Sequence, residues 1–193
     1  MTCTLSDVGN LGRPLAKGIV TTARIAAMIA ALAGCSSRSA QFPPACPRAG
    51  ILADAADLTR YRPGGGRDLT DQVLEGHIVG ISGECTYGET KQDLQTTVTV
   101  SFDVIRGPAA SQSREEDIVI FVAVTQSESI LDKKMYPIRV KFPPNVEKIH
   151  LTSAEIPLLL PVSAELSGAA YAVTAGFQLT PDELDINRAR LPR

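Results

Sequence analysis

The sequence contains no tryptophan, and aromatic residues make up only 5% of it. Sugar-binding platforms rest on exposed aromatic faces, so a carbohydrate-binding role starts with little to build on. It also lacks a concentrated basic field. The 19 Lys and Arg are outnumbered by 21 Asp and Glu, for a net charge of −2. Sequence-independent phosphate binding needs clustered positive charge, so nucleic acid is excluded as a partner. No apolar stretch approaches the ~20 residues of a bilayer-spanning helix. There is no C-x-x-C for thiol redox chemistry and no G-x-S-x-G or comparable nucleophile signature. Histidine occurs twice, as His77 and His150, each inside a stretch that reads as a strand and neither in a zinc-ligand spacing. Glu115-Glu116-Asp117 lacks the spaced oxygen donors of a calcium loop and reads as a solvated hairpin loop. These absences leave no catalytic motif, metal set or cofactor site, and the expectation is a protein that is not an enzyme. At 193 residues the chain is long enough for one domain with a real core and too short for two large ones.

What is present begins with an address. Arg13, Lys17 and Arg24 precede an uncharged run from Ile25 to Ala33 that ends in small residues, the order expected of a secretory signal peptide. A short buried Ala-rich helix is the competing reading of the same run. The run closes with Leu32-Ala33-Gly34-Cys35, which resembles the lipobox of bacterial lipoproteins at all four positions. That resemblance implies removal of residues 1–34, diacylation of the Cys35 thiol, acylation of the new amino group, and attachment to a membrane through that lipid. The chemistry is consistent, since small residues before the cysteine fit an extended chain into a peptidase cleft and only cysteine offers a sulfur nucleophile. One acyl chain anchors marginally, whereas two anchor stably. Ser36 follows where an Asp would retain such a protein at the inner membrane, so the resemblance implies the outer membrane, facing the periplasm. Losing residues 1–34 removes Arg13, Lys17, Arg24 and Asp7 and takes the net charge from −2 to −4.

The four cysteines then sort by position. Cys3 lies in the segment to be removed and Cys35 is the lipid site, which leaves Cys46 and Cys85 together in an oxidising compartment. A disulfide between them is expected. It would close a loop of about 40 residues, worth roughly 4 kcal/mol by chain entropy.

Residues 35–50 read as the acylated cysteine and an extended tether stiffened by Pro43, Pro44 and Pro47. Residues 51–193 read as one β-rich domain. Between Ile51 and Tyr61 the apolar spacing fits either a short amphipathic helix or an extended sheet edge. From Val73 the period is two. Val98, Val100, Phe102 and Val104 alternate with polar residues, giving a strand with one dry and one wet face. Ile118 to Val124 is apolar on both faces and reads as a central strand. Ile138, Val140 and Phe142 alternate with Arg139 and Lys141, and further strands are expected at 73–82, 146–152, 156–162 and 170–179. About seven short strands without intervening helices predict a mainly β fold, an antiparallel β-sandwich of immunoglobulin-like architecture, with a small β-barrel as the alternative. Pro157 and Pro161 place their strand at an edge or bulge. Thr180-Pro181-Asp182-Glu183 is a helix start, with Thr as N-cap, Pro at the first helical position and Glu three residues after the cap, so a short C-terminal helix should run to about Arg190.

One segment invites a ligand. In Arg62-Pro63-Gly64-Gly65-Gly66-Arg67-Asp68 the glycines could expose backbone N–H groups to an anion, although a phosphate loop would also need its Lys and Ser/Thr and a helix to open onto. The competing reading is a loop in which Gly supplies positive φ while Arg62, Arg67, Asp68 and Asp71 pair with one another. The run from Tyr61 to Asp71, together with the terminal Gly176-Phe177-Gln178-Leu179-Thr180, resembles uncharacterised alphaproteobacterial envelope lipoproteins. That resemblance brings an envelope location and no activity. The functional expectation is a lipid-anchored, non-catalytic interaction or assembly module with an envelope protein partner. The alternative is a small-ligand or glycan-binding lipoprotein using the Arg62–Asp71 loop.

Overall fold

The computed structural model describes residues 43–110, 112 and 114–190. The expected signal segment and the expected lipid site at Cys35 lie outside the described residues. Nine strands form among those described: β1 (Arg48–Ile51), β2 (Asp57–Tyr61), β3 (Gln72–Tyr87), β4 (Asp93–Arg106), β5 (Glu115–Gln126), β6 (Ser129–Lys141), β7 (Lys148–Thr152), β8 (Ile156–Pro161) and β9 (Tyr171–Phe177). One helix, α1 (Pro181–Arg190), follows them. The first sheet runs β1-β9-β5-β6, and the second runs β2-β3-β4 with β7 and β8 both on the far side of β4. The two sheets pack face to face as a sandwich, and no barrel closes. All neighbours are antiparallel except β1, which runs parallel to β9 from Arg48↔Ala172 to Ile51↔Ala175.

The alternation expected of β4 is what the packing uses. Leu94, Thr96, Val98, Val100, Phe102 and Val104 face the core, while Gln95, Thr97, Thr99, Ser101 and Asp103 face outward. The first sheet contributes Ile118, Ile120, Val122 and Val124 from β5 and Tyr171, Val173, Ala175 and Phe177 from β9. Phe102 and Phe177 meet across the sheets edge to face, with centroids 6.2 Å apart, the arrangement their ring quadrupoles favour. A Cβ at Gly76 would stand 2.9 Å from the Phe177 ring, so glycine is what lets β3 approach that ring. The double-faced apolar character of β5 is also explained. It lies between β9 and β6, and its outer residues Phe121 and Ala123 are covered by Ala55 and Leu179 in a small second cluster.

Where β7 gives way to β8 along β4, the ladder is interrupted at Ser153–Glu155. Val100 N–H would be orphaned there. It donates instead to Ser153 Oγ at 3.1 Å, while Ser153 N–H donates back to Val100 O at 2.9 Å. Pro157 and Pro161 sit in β8, which pairs only with β4 among the described residues and is therefore the edge expected. The segment left open between helix and sheet edge resolves into both kinds of local structure: β1, a 3-10 turn at Ala53–Ala55, then β2.

Two ends follow from the registers. β9 begins at Tyr171, opposite Gln126, and Tyr171 Oη donates to Pro161 O at 2.6 Å, so the start of β9, the β5–β6 turn and the close of β8 lie together. The opposite end carries the starts of β3 and β5, the close of β4 and helix α1.

Candidate functional site

The glycine segment is built around one carboxylate. Pro63 presets its own φ and Gly64 takes φ +75°, which gives a turn closed by Gly65 N–H donating to Arg62 O at 3.0 Å. Asp71, almost wholly buried, then accepts from Arg62 Nη2 and, at 2.7 Å, from Gly66 N–H. A Cβ on Gly65 would stand 2.8 Å from Asp71 Oδ1, and one on Gly66 would stand 3.0 Å from Oδ2. Glycine is needed at both positions because the carboxylate lies against the backbone. Asp68 caps the 3-10 turn Leu69–Asp71 by accepting from Thr70 Oγ1 (2.6 Å), Thr70 N–H (2.9 Å) and Asp71 N–H (3.2 Å). The Thr70 side chain, then its backbone N–H, holds the Asp68 carboxyl below its ordinary range.

Two consequences follow for the expected ligand residues. The N–H groups of Gly65 and Gly66 are already donated within the loop, so they do not form an open anion cradle, and Arg62 is engaged by Asp71. Arg67 does not pair with Asp68 and makes no hydrogen bond or ion pair with any described residue. It lines a cleft of about 590 Å³ between this loop, β2 and α1, whose other walls include Arg60, Tyr61, Thr180, Glu183 and Ile186.

The far wall of that cleft is the capped helix. Thr180 Oγ1 accepts from Glu183 N–H at 3.3 Å, and Glu183 Oε2 accepts from Thr180 N–H at 2.8 Å, the reciprocal pair of a capping box. The other oxygen of Glu183 accepts from Arg60 Nε at 3.1 Å, and Arg60 Nη1 reaches Asp117 O at 2.9 Å. Asn187 donates to Asp54 O and Asp57 O, and Arg190 donates to Thr59 Oγ1. Polar contacts therefore dock α1, which has little apolar surface to offer. The sequence announces the cap. It gives no sign of Arg60, whose partners are 57 and 123 residues away.

Both histidines lie on the outer face of the second sheet, in one transverse row. Asp57 is opposite His77, His77 opposite Asp103, and Asp103 opposite His150. His77 Nδ1 pairs with Asp57 Oδ1, and His150 Nδ1 lies 2.8 Å from Asp103 Oδ1. Lys148 takes the second oxygen of Asp103 at 2.8 Å, and this contact, ahead of His150, holds the Asp103 carboxyl below its ordinary range. Each ring thus has a carboxylate partner, and neither stands beside a hydroxyl or thiol nucleophile in these contacts. Among the described residues no group of three or more His, Cys, Asp or Glu is arranged to hold a metal ion. Glu115 and Asp117 are not in a hairpin loop as expected but open β5, where they pair across to Lys141 and Arg139 on β6.

Cys46 and Cys85 are joined by a disulfide with Cα atoms 5.8 Å apart, which ties the segment before β1 to the closing half of β3. The strand expected to finish near Gly83 continues to Tyr87, so the bond is made within β3. In comparisons with protein-family models, curated proteins and solved structures, the chain matches none.

Proposed function

We propose that this chain is a lipid-anchored protein of the bacterial cell envelope, held through acyl groups on Cys35 at the outer membrane and facing the periplasm. Its sandwich serves as a non-catalytic interaction module for an envelope protein partner. The observation that carries the reading is Leu32-Ala33-Gly34-Cys35 at the end of an uncharged apolar run preceded by Arg24. The Cys46–Cys85 bond supports it, because such bonds persist in oxidising compartments. The site geometry adds support of another kind: carboxylates that accept from arginine and backbone donors, and histidines paired on an open sheet face, serve structure better than proton transfer. The test is the mass of the N-terminal peptide from envelope-extracted protein. A peptide beginning at Cys35 and carrying acyl chains is expected. A peptide beginning upstream, or an unmodified Cys35, overturns the reading.

A second reading rests on the cleft beside the glycine loop. Its volume suits a small molecule, and the Arg67 guanidinium, which has no partner among the described residues, would meet a carboxylate or phosphate there. If the site is used, inorganic phosphate or a small carboxylate should raise the thermal midpoint of the wild-type protein and leave that of Arg67→Ala unmoved. Equal responses from the two proteins discard this reading.

A further inference from the structure

The end of the sandwich where β9 begins carries apolar side chains that the fold leaves in solvent. Ile130 and Leu131, just after the β5–β6 turn, are 66% and 53% exposed, and Leu159 on the edge strand β8 is 66% exposed. Leu131 and Leu159 share a groove of about 120 Å³ whose floor includes Val124 and Tyr171. Tyr87, 39% exposed, closes β3 at the same end, since its register partner Leu94 is also the partner of Leu160. No core requirement explains these residues, because each points away from the main cluster.

The chain also enters the domain at this end. β1 runs parallel to β9 and starts opposite Ala172, so the residues before it extend past the start of β9. Ala45 O lies against Gly168, where a Cβ would stand 2.1 Å from it, and Gly168 in turn lies against Leu94. The disulfide to Cys85 pins the same segment. Between Cys35 and Pro43 there are seven residues, and at ~3.3–3.6 Å each they span at most about 25 Å. An acylated Cys35 therefore keeps this end, rather than the other, within that reach of the bilayer. The length of the domain makes the distinction real: the 14 residues of β4, at ~3.4 Å each, run for about 45 Å.

We infer that the Ile130, Leu131 and Leu159 end is a lipid-docking surface, which rests on the acylated-Cys35 reading above. Three side chains would hold a free protein on a membrane only weakly. Tethering makes their insertion intramolecular, and the effective concentration supplied by a short linker lets a weak contact persist. Apolar side chains and a tyrosine at the headgroup boundary are the chemistry that interface accepts. Acidic and basic residues alternate around the patch, with Glu128, Asp132, Lys133 and Lys134 on the β6 side and Glu89, Lys91 and Asp93 on the β3–β4 side. Lipid charge is therefore not the attraction. The glycine-loop cleft, at the opposite end, faces away from the membrane.

The absence of tryptophan supplies the test. The full acylated protein, carrying Leu131→Trp or Leu159→Trp, is reconstituted into phosphatidylethanolamine and phosphatidylglycerol vesicles in which part of the lipid is brominated. Leu69→Trp serves as control, because Leu69 is 76% exposed and lies at the far end, beside the glycine loop. All three are surface positions, and an unchanged thermal midpoint shows that each variant folds. Emission from positions 131 and 159 should be quenched by bromolipid at least about twofold more than emission from position 69, as insertion at the acyl boundary requires. Equal quenching at all three positions in protein whose N-terminal peptide is acylated overturns the docking surface and leaves the anchor standing. Protection of 131 and 159 from aqueous acrylamide without bromolipid quenching places a second copy or another protein there, and overturns the lipid assignment. A peptide without acyl chains removes the anchor and this inference together.

Discussion

On the proposal that Cys35 carries the lipid, replacing it by Ser is expected to abolish acylation and leave unprocessed or soluble protein, rather than to weaken an attachment by degrees. Each buried methylene of an acyl chain contributes ~0.8 kcal/mol, so two or three chains hold a protein far beyond what ordinary dilution can reverse. Serine has no sulfur to acylate and leaves nothing of comparable strength behind. Among the described residues no helix is long and apolar enough to cross a membrane, and the three exposed residues Ile130, Leu131 and Leu159 are too few to substitute for the lipid. Fractionation with flotation reads the outcome. The variant should appear either unprocessed, still carrying Ile25 to Ala33, or in the soluble fraction. A processed Cys35→Ser protein that floats with membranes would mean that something other than this cysteine anchors the chain.

Cys85→Ala is expected to cost up to roughly 4 kcal/mol of stability, by the chain-entropy estimate for a loop of this size. The bond closes a separation of 39 residues, and a reduced chain that keeps residual structure would lower the figure. Its local role sets where the loss shows first. β1 has four residues and is held to the rest of the sheet by a parallel pairing with β9 alone, a ladder too short to be stable by itself. Without the disulfide, residues 43–51 should become the first protease-sensitive segment while the long β3–β4 and β5–β6 ladders remain protected. Cys46→Ala and the double variant should give the same loss within experimental error, because all three remove one covalent link. Urea denaturation and limited proteolysis measure both effects. Free alkylation of both thiols in protein taken from the envelope without reductant would show that the bond does not form.

Local rules carried several elements from sequence to structure intact. Alternation was enough to assign the inner and outer faces of β4. An apolar run on both faces identified β5 as central, paired prolines put β8 at an edge, and Thr180 with Glu183 marked the start of α1. The disulfide followed from compartment and parity. Each of these signals lies within a few residues of the feature it specifies, apart from the cysteines, which were paired by elimination.

Other features were decided only when the sheets came together. The first half of β6, from Ser129 to Pro137, is exposed along nearly its whole length, and a strand that buries no face leaves no alternation to read. It exists because β5 offers it twelve register partners. The stretch from Ile51 to Tyr61 stayed ambiguous because Leu58 and Thr59 are buried by elements far along the chain. The glycine run kept its two readings until Asp71 was seen lying against Gly65 and Gly66 and consuming their freedom. Residue type and period determine which face a side chain takes, since both are properties of a single strand. Register and the meeting of distant strands depend on packing among all of them, and that is what placed Asp57, His77, Asp103 and His150 in one row and brought residues 43–47 in at the same end of the sandwich as Leu131 and Leu159.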